Sequence, residues 1–159
     1  MKYPKTQILK DPRTIQIQNF LGSSGEEEFW GAPTLAGAGE LREENNNAKP
    51  YDLEERTAQF GEAVICFAKK IPRNPVNNRL IGQLVGAATS VGANYCEADE
   101  GVSRKDYKNR IGTCKKEARE TKFFLRMITV AEEKLKPEAR VLWQEARELH
   151  LIFCTIYAR

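Results

Sequence analysis

The residues with the clearest chemical potential are cations. Arg104, Lys105, Lys108, Lys115, Arg119, Lys122 and Arg126 crowd one stretch of the chain. At 100° per residue, all but Lys105 fall within about 60° of helical arc. Lys105, Arg110 and Lys116 add positive charge elsewhere on the same helix. Against Asp106, Glu117 and Glu120, residues 104–126 hold nine positive and three negative charges. A ridge of this kind neutralises phosphates along a nucleic-acid backbone without reading bases. A merely solvated face needs less clustering of one sign.

Other constellations are weaker. Asp106, Glu117 and Glu120 share an arc of about 60° roughly opposite the ridge. Paired carboxylates can serve acid–base chemistry, yet no second acid or nucleophile completes a mechanism. The expected role is a salt bridge to a neighbouring helix or subunit, with Arg79 or Arg56 as partner. His150 and Cys154 are four apart, a spacing that lets them touch, but a Cys–His catalyst needs activation and an orienting group. Glu97, Asp99 and Glu100 lack the spaced ligands and glycine of a calcium loop and read as a solvated helix end. No phosphate-cradling glycine loop or Gly-x-Ser-x-Gly elbow occurs. The single histidine removes two-His zinc sites and the twin Glu-x-x-His of di-iron bundles. The expectation is a non-enzymatic protein with no catalytic residues, no metal and no cofactor.

The chain that must position these residues has 159 of them, room for one core and a tail. Its net charge of +3 conceals a division near residue 50. Residues 1–50 hold 6 Lys+Arg and 7 Asp+Glu, leaving 19 and 15 for residues 51–159. The first part carries Glu26-Glu27-Glu28, Asn45-Asn46-Asn47 and glycines at 22, 25, 31, 37 and 39, without helical periodicity. It reads as an irregular, disordered extension, because it buries too little apolar surface to offset ordering entropy. Two islands stand out there: the strand-like alternation Thr14-Ile15-Gln16-Ile17-Gln18, and Phe29-Trp30, an exposed aromatic pair. Either would suit partner docking. Met1-Lys2-Tyr3-Pro4 opens no apolar run of signal-peptide length, and no stretch approaches the ~18 apolar residues of a span. With Cys66, Cys96, Cys114 and Cys154 used as small hydrophobes, this predicts a reduced, cytoplasmic protein away from membranes.

From residue 51 the pattern is helical, over about 52–71, 75–98, 103–133 and 137–158. The first helix opens on Asp52 and Glu55, an acidic capping box, and buries Leu53, Phe60, Val64, Phe67 and Ile71. Pro72 and Pro75 end it. The second starts at Asn74-Pro75, a good N-cap before proline. Its core face is Leu80, Leu84, Ala88, Val91 and Tyr95. A second stripe of small residues, Gly82, Gly86, Thr89 and Ala93, predicts close approach of another helix, in this chain or another subunit. The third is capped by Ser103 with Asp106, and Val102 would staple onto Tyr107. Tyr107, Ile111, Cys114, Ala118, Thr121, Leu125 and Ile128 form its buried face. The fourth opens at Pro137 and buries Leu142, Ala146, Leu149, Phe153 and Ile156. Four amphipathic helices with short connections predict an all-α, up-down-up-down antiparallel four-helix bundle.

Several runs then carry a family resemblance over about residues 51–159. They are Asp52-Leu53-Glu54-Glu55-Arg56-Thr57, Gln83-Leu84 with Ala87-Ala88-Thr89-Ser90-Val91-Gly92-Ala93-Asn94-Tyr95, Ser103-Arg104-Lys105-Asp106-Tyr107, and Lys116-Glu117-Ala118-Arg119-Glu120-Thr121 before Leu125. In order and spacing they resemble the four-helix bundle proteins related to the 23S rRNA-intervening-sequence protein. The resemblance implies a bundle assembling into a ring, typically a homopentamer, without established enzymatic activity. A similar fold serves as the accessory protein of diversity-generating retroelements, beside a reverse transcriptase. Gln83, Asn94 and Glu120 match polar family positions within the bundle, structural rather than catalytic. The usual Arg-Glu after Asn-Tyr is here Cys96-Glu97, so one basic position is lost. Phe123-Phe124 partly keeps the aromatics usual before Leu125.

Two functions follow. The first is an oligomeric bundle binding RNA or DNA backbone through Arg104, Lys105, Lys108, Lys115, Arg119, Lys122 and Arg126, with Gly82, Gly86, Thr89 and Ala93 at the oligomer interface. The alternative is an interaction adaptor docking a partner such as a reverse transcriptase, without nucleic-acid binding of its own.

Overall fold

The computed structural model describes residues 29–30 and 52–159. The chain divides into two compact units, Met1–Asp52 and Leu53–Arg159. In the first, Phe29 and Trp30 are helical, and their rings meet edge to face at 5.2 Å. Trp30 is 5% exposed and Phe29 half-buried, which corrects the expectation of an exposed pair. The apolar area of an indole drives it under cover. The Thr14–Gln18 island and the rest of the extension lie outside the described residues.

The second unit holds four helices: α1 (Leu53–Ala68), α2 (Pro75–Asp99), α3 (Arg104–Ala131) and α4 (Lys136–Tyr157), with a 3-10 turn at Glu133–Leu135. Among the described residues there is no strand. Each helix packs on the next, and α1 also meets α4, closing a four-helix bundle. At 1.5 Å per residue α3 runs about 42 Å, long enough to form one whole edge.

Helix starts follow the local chemistry. The Asn74 side chain accepts from the Asn77 backbone N–H at 2.8 Å, with Pro75 beginning α2. Ser103 Oγ accepts from Asp106 N–H at 3.1 Å at the head of α3. Each cap satisfies a donor that the first turn leaves without a partner. The hydrophobic staple does not form: Val102 is 97% exposed. α1 stops at Ala68 rather than Ile71, because the chain tightens into short bonds from Lys70 N–H to Phe67 O and from Ile71 N–H to Ala68 O before Pro72.

The α1 stripe of Leu53, Phe60, Val64, Phe67 and Ile71 is buried as the spacing predicts. So are Ile111, Cys114, Ala118, Thr121, Leu125 and Ile128 of α3, whereas Tyr107 stands half-buried at its edge. In α2, Leu80 and Tyr95 are half-buried, and Ile81 and Ala87 join the core. In α4, Leu142 and Ile156 sit at the border, and Trp143, Leu151 and Ile152 go inside. Both helices are turned slightly from the expected face. Each large aliphatic side chain buried this way contributes about 1.5–3 kcal/mol.

The buried threonines and Asn77 of the bundle find partners. Thr57, Thr121, Thr129 and Thr155 donate to carbonyls three or four residues back. Asn77 Nδ2 donates to Pro72 O at 2.8 Å and to Glu132 Oε1 at 2.7 Å, tying the α1–α2 turn to the end of α3. Arg56 grips Glu145 through two hydrogen bonds of 2.6 and 2.8 Å and Glu148 through one of 2.6 Å, fastening α1 to α4. The cysteines are not uniformly small core hydrophobes: Cys114 is buried, Cys154 half-buried, and Cys66 and Cys96 exposed. Burial pushes the Cys114 thiol up to about 12.

Candidate functional site

The ridge on α3 does not stand alone. Its arc borders the core face, so its side chains lean across the seam toward α4. Lys108 and Lys115 place their ammonium groups 5.1 and 4.4 Å from the centre of the Tyr157 ring. Lys122 stands 4.9 Å from the centre of the Trp143 ring. Arg104 donates to the carbonyl of Arg159 at 3.4 Å, drawing the chain end onto α3. The attraction of a cation for a ring face holds these arms along the seam.

α4 answers with its own stripe. Arg140, Trp143, Arg147, His150, Cys154 and Tyr157 recur at spacings of three and four, within about 100° of arc. The contacts of Trp143, His150 and Tyr157 with α3 fix which way this stripe faces. Arg140 and Arg147 therefore extend the basic surface to a second helix. No Asp or Glu falls on either stripe. Sequence reasoning missed these two arginines because it treated α3 by itself; their register with Tyr157 and Trp143 was the available signal.

Other faces of the bundle hold ion pairs. Arg56 takes Glu145 and Glu148, Lys70 takes Glu138 at 2.6 Å, and Arg110 takes Glu97 at 2.5 Å. Among the described residues, no carboxylate pairs with Lys105, Lys108, Lys115 or Arg119. Arg104, Lys105, Lys108 and Arg119 are exposed; Lys115, Lys122 and Arg126 are half-buried against their neighbours.

His150 and Cys154 do meet. His150 Nδ1 lies 2.9 Å from the Lys115 carbonyl, which can only accept, so Nδ1 carries the hydrogen. Nε2 is left to accept from Cys154 Sγ at 3.5 Å. Burial, helped by the charges of Lys122, Lys115 and Arg119, lowers the His150 pKa, opposed by its bond to Lys115 O. Burial raises the Cys154 thiol, and nearby Lys115 and Lys122 only partly offset this. A neutral imidazole receiving a neutral thiol is a satisfied polar pair inside the seam. It is not an activated nucleophile, which requires a thiolate.

The remaining constellations disperse. Asp106 is about 16 Å along the axis from Glu117, so the three acids form no single site. Among the described residues neither Glu117 nor Glu120 forms an ion pair, and Arg56 is engaged on α4. The expected bridge from these acids to Arg56 or Arg79 is absent because α3 turns them to its outer face. Burial and Glu120 raise the Glu117 pKa, Lys116 opposing. Asn94 is structural, donating to Ser90 O at 2.9 Å and accepting from Arg110 at 3.4 Å. Gln83 and Glu120 are exposed rather than within the bundle. No group of three or more His, Cys, Asp or Glu able to hold a metal occurs among the described residues. Among them, too, no helix is long and apolar enough to cross a membrane.

Gly82, Gly86, Thr89 and Ala93 are not buried within the chain: Gly82 and Gly86 lie on the outer side of α2, and a Cβ built on either would meet nothing within 4 Å. Within α2 the close approach to a neighbouring helix falls instead at Gly92, where a Cβ would lie 3.4 Å from Thr57 Oγ1 of α1. Beside it, Glu54, Glu55, Ala58, Glu62, Thr89 and Ala93 help line a shallow groove of about 380 Å³ between α1 and α2.

No family model and no curated protein matches the sequence. A solved structure does: a protein of unknown function from the S23 ribosomal protein family of Bacteroides thetaiotaomicron, at TM-score 0.59 and 23% identity. The match covers 67% of this chain and 98% of that one. The likeness is one of fold.

Proposed function

We propose that the bundle is a non-enzymatic protein that binds nucleic-acid backbone along the α3–α4 seam. The observation that carries the reading is a two-helix cationic surface with no carboxylate on either stripe. Phosphate oxygens supply counter-charge, and release of condensed counterions drives the association. The neutral His150–Cys154 pair favours binding over catalysis. The neighbour's placement in a ribosomal protein family fits a nucleic-acid partner. The test is retention of a labelled RNA or DNA at low salt. Wild type binds, and K108Q/K115Q/R119Q is retained far more weakly. Equal retention by the variant, or none by wild type, overturns the reading.

The open strip at Gly82 and Gly86 favours a second element: a helix of another copy packing on α2. A homo-oligomer, a homopentamer being the form the sequence resemblance implies, would multiply the basic charge of the bundle. Light scattering tests it, and a monomer at working concentration excludes it. The same strip supports the adaptor reading, in which a protein partner occupies it. That reading predicts a stoichiometric partner co-purifying without nucleic acid.

A further inference from the structure

We infer that the seam's ligand is single-stranded nucleic acid, its unpaired bases stacking on Tyr157 and Phe123; this rests on the backbone-binding reading above. Two large aromatic rings border the basic surface and keep part of their area exposed. Tyr157 is 38% exposed and Phe123 55% exposed. Phe123 lies on α3 next to the ridge, between Lys122 and Arg126 and in helical register with Arg119 and Lys116.

Tyr157 is positioned by what α3 leaves out. A Cβ on Gly112 would come within 3.1 Å of Tyr157 Cε2, so the missing side chain lets the ring lie against the helix. Lys108 and Lys115, about one turn to either side of Gly112, reach that ring from α3. Phosphate-binding charge and stacking surface are thus presented at one place. A base arriving on the ring displaces a flexible lysine arm, which then meets the flanking phosphate. Phe123 offers a second exposed ring about 16 Å further along the axis from Gly112. It packs edge to face on Phe124, with ring centres 5.3 Å apart, which fixes its orientation. Trp143 makes the contrast: it too carries a lysine, but it is buried and offers no face to a ligand.

Open rings beside a cationic track suit unpaired bases, because every base has a face to stack. Duplex hides its bases, so it gains only the backbone contacts. The test is fluorescence anisotropy of the full chain with a labelled mixed-sequence 20-nucleotide strand and with its duplex, at one salt concentration. Wild type is expected to prefer the single strand by about tenfold. Y157L/F123L is expected to lose that preference while still binding duplex, and Y157W/F123W to keep it. Circular dichroism reports whether each variant retains the helical bundle. Equal affinity of wild type for both probes overturns the inference and leaves the backbone reading standing. Equal losses of both probes in Y157L/F123L also overturn it, since that pattern reports a structural role. Failure of wild type to bind either probe removes both readings together.

Discussion

Two edges of one bundle are built on opposite principles. The α1–α2 edge is close-packed: Gly92 brings α2 against Thr57, and the surface outside carries Glu54, Glu55 and Glu62 around small side chains. The α3–α4 edge is propped by large side chains, with Tyr157, Trp143 and His150 between the helices and cations laid over the rings. Small residues leave a groove and no cationic track. Large aromatics give long cationic arms something to rest on. Shape and charge are therefore coupled, and the edge proposed to bind polyanions is the edge with the aromatics.

The largest effect should separate the edges by charge. K108Q/K115Q/R119Q should weaken nucleic-acid binding about a hundredfold at low salt. E54Q/E55Q/E62Q should leave it unchanged, as read by anisotropy. Comparable losses in both would erase the distinction. Packing separates the edges next. G92V pushes a side chain toward Thr57 and should cost about 1–3 kcal/mol in urea unfolding. G82A and G86A enter open space and should gain up to about 1 kcal/mol each in the isolated chain, by helix propensity. If either weakens self-association instead, the strip is an interface.

The smallest effect is a pH dependence confined to the α3–α4 edge. The folded chain holds His150 below its ordinary value of 6.5, because burial disfavours the imidazolium. The unfolded chain therefore binds the proton more readily in the window below about 6.5, and folding stability falls as pH drops through it. H150N keeps a donor for the Lys115 carbonyl and should flatten that slope in thermal melts. The chain has no other histidine to mask the change.

Much of the fold was legible because each helix carries its own boundary chemistry. Asn74-Pro75 and Ser103 announce their helices, and the α1 and α3 stripes bury the residues their spacing marks. The errors arise where two helices share a residue. Periodicity placed Leu142 inside and overlooked Trp143, since a single wheel cannot say which neighbour fills the adjacent groove. Val102 has the spacing of a staple, yet it stands 97% exposed beside the Ser103 cap. The site was half visible. The α3 cations follow from arithmetic on one helix, whereas Arg140, Arg147 and the cradle of Tyr157 on Gly112 exist only once α4 is laid against α3. Gly82 and Gly86 are glycines in a helix that face open space, whereas the α2 glycine packed against a neighbouring helix is Gly92.

The central claim is that the paired stripes of α3 and α4 act together on phosphates. Its most direct test is the slope of log affinity against log salt for wild type and for K115Q/R147Q, which removes one cation from each helix. The expected result is a steep wild-type slope that the variant reduces by about 1.4–1.8, as two fewer neutralised phosphates require. An unchanged slope in the variant, or a wild-type affinity indifferent to salt, would contradict it.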